Sequence, residues 1–531
     1  MTRGRLRADE RRVLYGMSVA VTGAYLQPAT ANYIVNPMLV TFDGTTTDGA
    51  VLREIPSVAT LATIFVVAAV AARVGSRRTM SIGAMLVLVG SALVAGAPRL
   101  LVAEAGLAVQ ALGATVLLVV PLGVIGARLA SVGARATGFA VFSMVCPMVF
   151  VLLPVLTSLL MEQTTWRVVA LVWMVGAAVA IVAIRWSMPA DHLLRHGAGG
   201  APGAPSRPRA ELWTPVLAGL LCMGLAQTVS HASTDGMRSA SVMVRAAATV
   251  AVGLVLVIQL RRTSSPTLDV DLLRRPGVAL LLVVLGLWCF TQLWYYMTLA
   301  FEYVYGRSVL DTAVLMMVPQ LCGVVGARLA GPMLRRWGAG PVGVWMLAAA
   351  GVALIASATV RVGAPLWWAL VVTCGYSFTA VAAGVPMTAA LMDEAGPGAE
   401  SGAAAFRQAA ISVGTVIGIA VMSTIVFAAF DASLGGQIDA MGGDSATETQ
   451  IAAELRTGAT PAQVSTTYAV PVAQVQQVNA AQQRALLDGM AAHGWAAGGV
   501  SLLAAGLFWV ARRRTQEPPR AVPSAVAVGR Y

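Results

Sequence analysis

Charge is scarce in this chain: Asp, Glu, Lys and Arg make up 11% of its 531 residues, against about 25% in an average soluble domain. Lysine is absent altogether, so all 36 basic residues are arginine. The five cysteines, Cys146, Cys222, Cys289, Cys322 and Cys374, stand far apart inside apolar stretches and form no CxxC pair. These shortages argue against a soluble globular protein, a disulfide framework and a zinc site. No nucleotide-binding loop, metal-ligand spacing or catalytic triad occurs, so no cofactor, metal or covalent catalysis is expected.

Apolar sequence is abundant, at 57% of the residues, and it falls into long runs separated by short polar joints. The joints alternate between Arg-rich and Arg-poor. One class (the N-tail, the 73–78, 128–135, 185–209, 261–275 and 328–336 regions, position 407 and the C-tail) holds 27 of the 36 arginines, and 14 of the 24 acids lie on or near the other side. By the positive-inside rule the Arg-rich side is cytoplasmic and both termini lie there. The net charge of +12 then faces anionic lipid, and nucleic acid is not an expected partner. The lysine-free, Ala/Val/Gly-laden composition fits a GC-rich bacterial genome, and the expected location is a bacterial inner membrane. The first apolar run, from Val13 to about Val40, is too long for the core of a signal peptide and reads as an uncleaved helix.

Fourteen stretches reach the roughly 20 apolar residues that a spanning helix needs. The expected architecture is an all-α polytopic membrane protein: a bundle over 13–186, a linker at 187–211, two further helices over 212–260, a loop at 261–276 and a second bundle over 277–511. The tails at 1–12 and 512–531 flank them. The linker contains HGAGGAPGAPSRPRA and reads as flexible. An outer segment at 431–493 carries helix signals: Thr460 before Pro461 reads as a cap and first-turn proline, and Val472, Val475, Val478 and Leu486 follow helical spacing. A small helical cap is expected there.

Two joints repeat a pattern, AVAARVGSRR at 69–78 and GPMLRRWGAG at 331–340. A glycine allows a tight turn, and flanking arginines can pair with helix ends or acids. These loops resemble the conserved inter-helix motif of the major facilitator superfamily. SSPTLDVDLLRRPGV at 264–278, YVYGRSVLDTAVLMMVPQ at 303–320, Pro154 with Thr157 and Ser158 before Trp166-Arg167, and Phe406-Arg407-Gln408 resemble its fourteen-helix drug:proton antiporter group. The resemblance implies two pseudo-symmetric six-helix bundles with two inserted helices, rocking for alternating access. It implies gating roles for Arg73, Gly75, Arg77, Pro154, Gly331, Arg335, Arg336, Gly338 and Arg407.

The family's charged positions are missing. Its membrane-embedded Asp in the first helix aligns with Pro28, its Arg in the fourth with Leu107, and its loop-motif Asp with Ala72 and Arg335. Thr30, Pro37, Gln110 and Gly113 keep the pattern. An intramembrane charge usually persists for a proton or ion task, so this loss removes the standard coupling pair. Glu104, one turn before Leu107 on the same face, is the remaining coupling candidate, with a solvated interface acid as the plainer alternative.

For substrate the strongest signal is WCFTQLWYYM at 288–297. On a continuous helix Trp288, Gln292, Tyr295 and Tyr296 form one aromatic face around an amide, suited to an amphipathic or cationic ligand, or else an outer aromatic belt. Gln27, Thr30 and Gln110 are expected to line the same cavity, with Tyr376, Ser377 and Thr379 as weaker candidates. The expected function is export of an amphipathic or lipophilic small molecule, proton-coupled or uncoupled. The alternatives are a lipid flippase and a non-transporting scaffold that recruits an envelope partner through 431–493.

Overall fold

The computed structural model describes residues 7–129, 131–188, 212–263, 270–396, 399–441, 445–456 and 460–516. Residues 189–211 of the linker, most of the C-tail and part of the 264–278 stretch lie outside the described residues. Secondary structure is helical throughout, with no strand among the described residues.

Six long helices form the first bundle: α1 (Ala8–Thr41), α2 (Thr46–Val74), α3 (Ser76–Ala95), α4 (Leu100–Arg128), α5 (Val132–Gln163) and α6 (Trp166–Ser187). Two more follow, α7 (Trp213–Asp235) and α8 (Ala240–Arg262). The second bundle begins with the short α9 (Asp271–Arg274) and α10 (Pro276–Trp288), then a 3-10 turn at Cys289–Thr291, α11 (Trp294–Leu299) and a π turn at Ala300–Val304. It continues with α12 (Val309–Trp337), α13 (Ala339–Ser357), α14 (Leu366–Ala395) and α15 (Glu400–Met441). The small α16 (Ser445–Arg456) and α17 (Pro461–Tyr468) precede α18 (Val472–Gln516).

Thirteen spans among the described residues are long and apolar enough to cross a membrane. The first of the expected fourteen, α1, is not among them. It nevertheless runs for 34 residues, about 50 Å, and packs along α4, α5 and α6 as a full member of the bundle. Its polar side chains are tolerated because they face other helices: Thr30 is fully buried and accepts a hydrogen bond from Trp173 Nε1 of α6 at 3.0 Å.

The two halves repeat one joint. Gly75 closes α2 and opens α3 with φ 101° and ψ 148°, and Gly338 closes α12 and opens α13 with φ 79° and ψ 169°. Side chains other than glycine rarely adopt this left-handed region, which is why glycine stands at both places. The inserted pair is peripheral. α7 packs on α2 and α15, while α8 packs on α7 and leaves Val244, Val250 and Leu254 at least 60% exposed. Apolar exposure of that extent belongs against lipid.

The 431–493 segment is only in part the separate helical cap expected, because the two flanking helices run on into it. α15 runs for 42 residues and α18 for 45, about 63 and 68 Å, well beyond a bilayer of 40–45 Å. The Ala/Gln-rich sequence before His493 is good helix former and continues α18 instead of making a separate element. α16 and α17 close over these extensions around a small core of their own, in which Leu434, Ile438, Ile451, Val464, Val475 and Val478 are buried. Thr460 caps α17 with Pro461 in its first turn, and its hydroxyl and backbone N–H both reach the Gln463 side chain. Val472 is 44% exposed, outside that core.

Candidate functional site

The two bundles meet mainly along α5 against α12 and along α15 against α2 and α4. Several cross-bundle contacts lie at the end that bears the Arg-rich joints. Gly331 of α12 lies where an added Cβ would stand 3.4 Å from Ala140 of α5, so the helices touch through small residues. One turn on, Arg335 donates to Thr137 Oγ1 at 3.1 Å. Arg135 and Asp393 of α14 approach to 3.5 Å, with side chains 28% and 44% exposed, a pair of modest strength. Gly123 and Gly126 of α4 stand against Ser401 and Glu400. Phe65 of α2 and Phe406 of α15 make an edge-to-face contact at 5.2 Å.

Above this floor sits Arg407, 6% exposed. Its Nε donates to Thr388 Oγ1 of α14 at 2.8 Å, and its guanidinium carbon lies 5.9 Å from the Phe142 ring of α5. The Tyr25 hydroxyl of α1 and the Cys289 thiol are within electrostatic reach, and the Cys146 thiol lies beside Tyr25. No ion pair to Arg407 is formed among the described residues. Sequence reading assigned Arg407 a gating role and missed its burial among α1, α5, α14 and the 289–291 turn. The signal was an arginine inside an otherwise apolar run.

The predicted substrate residues are not brought together. The continuous face of Trp288, Gln292, Tyr295 and Tyr296 does not form, because the helix breaks at 289–293: the Thr291 hydroxyl takes the Trp288 carbonyl at 2.6 Å and Gln292 turns to an extended ψ of 95°. Trp288 keeps a buried Nε1 with no acceptor, and its ring stands 3.8 Å from where a Cβ on Gly384 of α14 would be. Gln292 is half-buried at the break. Beyond it Tyr295 is 57% exposed, while Tyr296 turns into the second bundle, its hydroxyl 3.4 Å from Ser423 Oγ and its ring 4.5 Å from His493. Tyr376 joins this interior through Thr291, at 3.3 Å.

In the first bundle Thr30 is a helix-to-helix bond and not a cavity wall, and Gln27 is half-buried beside it. Gln110 is 2% exposed, with both amide atoms buried and without a partner, and its backbone lies against Gly90 of α3. Pro28, one turn from Tyr25 on the same face of α1, is exposed. Leu107 is 3% exposed and packs in a cluster with Leu26, Ile34, Ala103, Trp166 and Trp173. Glu104 does not share that burial: it is half-buried near the start of α4, with Asp48 as the neighbouring carboxylate.

Of the gating candidates, Gly75, Gly338, Gly331, Arg335 and Arg407 occupy joints or cross-bundle contacts as described above. Arg77 donates to the Arg185 carbonyl at the end of α6 at 3.1 Å, tying the α2–α3 joint to its own bundle. Arg73 is half-buried in the last turn of α2, and Pro154 is buried inside α5. Arg336 is exposed and lies 5.3 Å over the Trp337 ring. Among the described residues no cluster of His, Cys, Asp and Glu is arranged to hold a metal.

The architecture of paired bundles with matching glycine joints and a seam between them is that of a transporter, and comparison with known proteins agrees. The sequence model of the Major Facilitator Superfamily matches residues 14–419, and the chain belongs to that superfamily. The fold is shared with the human organic anion transporter MFSD10 (TETRAN), at 14% identity and a TM-score of 0.61, over 94% of this chain and 100% of that one. It is also shared with the proton:xylose symporter XylE bound to 6-bromo-6-deoxy-D-glucose, at 13% identity and a TM-score of 0.57, over 94% of both chains. No curated protein matches the sequence.

Proposed function

We propose that this transporter carries an amphipathic or lipophilic small molecule out across a bacterial inner membrane by alternating access, as the fourteen-helix drug:proton antiporters do. The observation that supports it most is the one-sided closure. Contacts between the bundles join them at the Arg-rich end, which the positive-inside rule assigns to the cytoplasm together with both termini. The conformation is then the outward-facing one, and rocking about the α5–α12 and α2–α15 seams opens the other side. Because the solved relatives handle an organic anion and a sugar, the fold itself does not choose the substrate.

Coupling is the point at which this chain parts from that group. With Leu107 in an apolar cluster and Pro28 in place of an acid, the central helices of the first bundle offer no proton site, and Glu104 sits at the edge beside Asp48. Uncoupled facilitation, including flipping of a lipid-like substrate, is the version these positions support. Uptake of a fluorescent lipophilic probe into inverted vesicles under an imposed pH gradient, in wild type and Glu104→Gln, tests it. Movement that is equal in both proteins and indifferent to the gradient is expected. Gradient-driven uptake that disappears in Glu104→Gln and with an uncoupler overturns it and puts the proton site at Glu104.

A further inference from the structure

Arg407 is a buried charge that neither the fold nor the closure contacts neutralise. An arginine inside a span is costly and usually persists because something in the protein's working cycle meets it. Its guanidinium has five N–H donors, and of these the Nε hydrogen goes to the Thr388 hydroxyl. That hydroxyl in turn donates to the Gly384 carbonyl at 2.7 Å, and Gly384 is the residue against which the Trp288 ring stands. One turn of α14 therefore carries the Arg407 guanidinium at one end and the Trp288 ring, through its Cη2 carbon, at the other, and the Trp288 Nε1 is itself buried without an acceptor. Tyr25 adds a hydroxyl from α1 on the other bundle.

Everything placed around that turn is positive, a donor or apolar. The acids nearest in sequence, Asp393, Glu394 and Glu400, lie a turn or more away toward the Arg-rich end, where Asp393 faces Arg135 and Glu400 stands against Gly126, and none of them forms an ion pair with Arg407 among the described residues. A cationic ligand here would meet like charge, whereas an oxyanion would complete the guanidinium's planar fork with paired charge-assisted bonds. We infer that Arg407, with Trp288 beside it, is the head-group site for an amphipathic organic anion carrying one sulfate, phosphate or carboxylate. Phe142 and Trp288 supply apolar surface for the body of that molecule. The site rests on the transport reading and narrows it, replacing the cationic ligand that the aromatic sequence alone suggested. Because Phe142 and Tyr25 come from one bundle and Arg407, Thr388 and Trp288 from the other, an anion held here touches both moving halves at the floor of the closure.

The test is binding of tritiated estrone sulfate, and separately of tetraphenylphosphonium, to the purified full-length protein in phosphatidylcholine nanodiscs. Saturable estrone sulfate binding is expected, weakened at least about 10-fold by Arg407→Gln, the size of one charge-assisted contact, and less by Arg407→Lys. Trp288→Phe, which keeps an aromatic ring and removes the donor, is expected to weaken it about 3-fold. Monodisperse elution of each variant separates lost binding from lost fold. Estrone sulfate binding that is unchanged in Arg407→Gln overturns the inference. Binding of tetraphenylphosphonium alone by the wild type overturns it too, while leaving the transport reading intact. If neither probe binds or crosses vesicle membranes, the transport reading fails and the inference with it. Nanodiscs with part of the lipid replaced by phosphatidylglycerol decide the source: competition by the lipid assigns the site to a lipid head group, and its absence assigns it to a free anion.

Discussion

Leu107 of α4 and Arg407 of α15 are buried to nearly the same degree, 3% and 6% exposed, in the two halves of one pseudo-symmetric molecule. Around Leu107 the neighbours are aliphatic and tryptophan side chains, and no charged group stands among them, although the buried amide of Gln110 lies one turn away. Around Arg407 they are a threonine hydroxyl, a tyrosine hydroxyl, a thiol and an aromatic face gathered from both bundles. The first site holds an apolar side chain where the antiporter group that the sequence resembles carries an arginine, while the second keeps a charge that packing alone does not require. Stability governs the first position and ligand chemistry the second.

Mutations can break that contrast. Putting a charge where the first bundle is dry, Leu107→Arg, is expected to have the largest effect, a loss of several kcal/mol from an unpaired buried charge. It would be read as failure to purify or a large fall in Tm in detergent; a wild-type Tm would mean that the first bundle holds a hydrated site after all. The reciprocal change, Arg407→Met, removes a desolvated charge and is expected to leave Tm unchanged or raise it, because apolar replacements of buried ions are often neutral or stabilising. A Tm several degrees lower would make Arg407 a structural residue.

The matched joints give a smaller effect. Gly75→Ala and Gly338→Ala both force a Cβ into the left-handed region, at about 1–2 kcal/mol each. Thermal melts of the two variants should shift alike if the halves are equivalent, and unequal shifts would show that one joint bears more strain. Thr30→Val breaks the Trp173 hydrogen bond, at about 1 kcal/mol, and should leave transport within about 2-fold, since Thr30 faces α6. Transport loss beyond that would return Thr30 to the cavity wall. Smallest is Asp393→Asn, which removes a partly exposed pair worth less than about 1 kcal/mol. Its expected signature is a few-fold rise in labelling of Cys146 by a thiol reagent, measured by mass spectrometry, as the closed end opens more often. Unchanged labelling would mean that this ion pair does not hold the closure.

Much of the fold could be read without coordinates. The glycine joints at 75 and 338 follow from local pattern, and the Thr460-Pro461 cap forms as its residues direct. The candidate site was far less legible. Helical spacing placed Trp288, Gln292, Tyr295 and Tyr296 on one face, but a threonine at 291 competes for the backbone and the face dissolves into a 3-10 turn, a bend and a π turn. Thr30 looked like a cavity residue because its partner, Trp173, is 143 positions away.

The sequence by itself determined the class of protein and most of its long apolar helices, α1 being the one that packing had to establish. That information is local: in lipid each span must satisfy its own backbone hydrogen bonds, so apolar length and the arginine bias of each joint suffice. Tertiary structure decided which polar groups are structural and which remain available. Thr30 is spent on Trp173, whereas Arg407 meets Thr388 and Phe142, with Tyr25 in electrostatic reach, and forms no ion pair among the described residues. Those neighbours come from helices far apart in the chain, and only the packing of one bundle against the other sets them around a single charge.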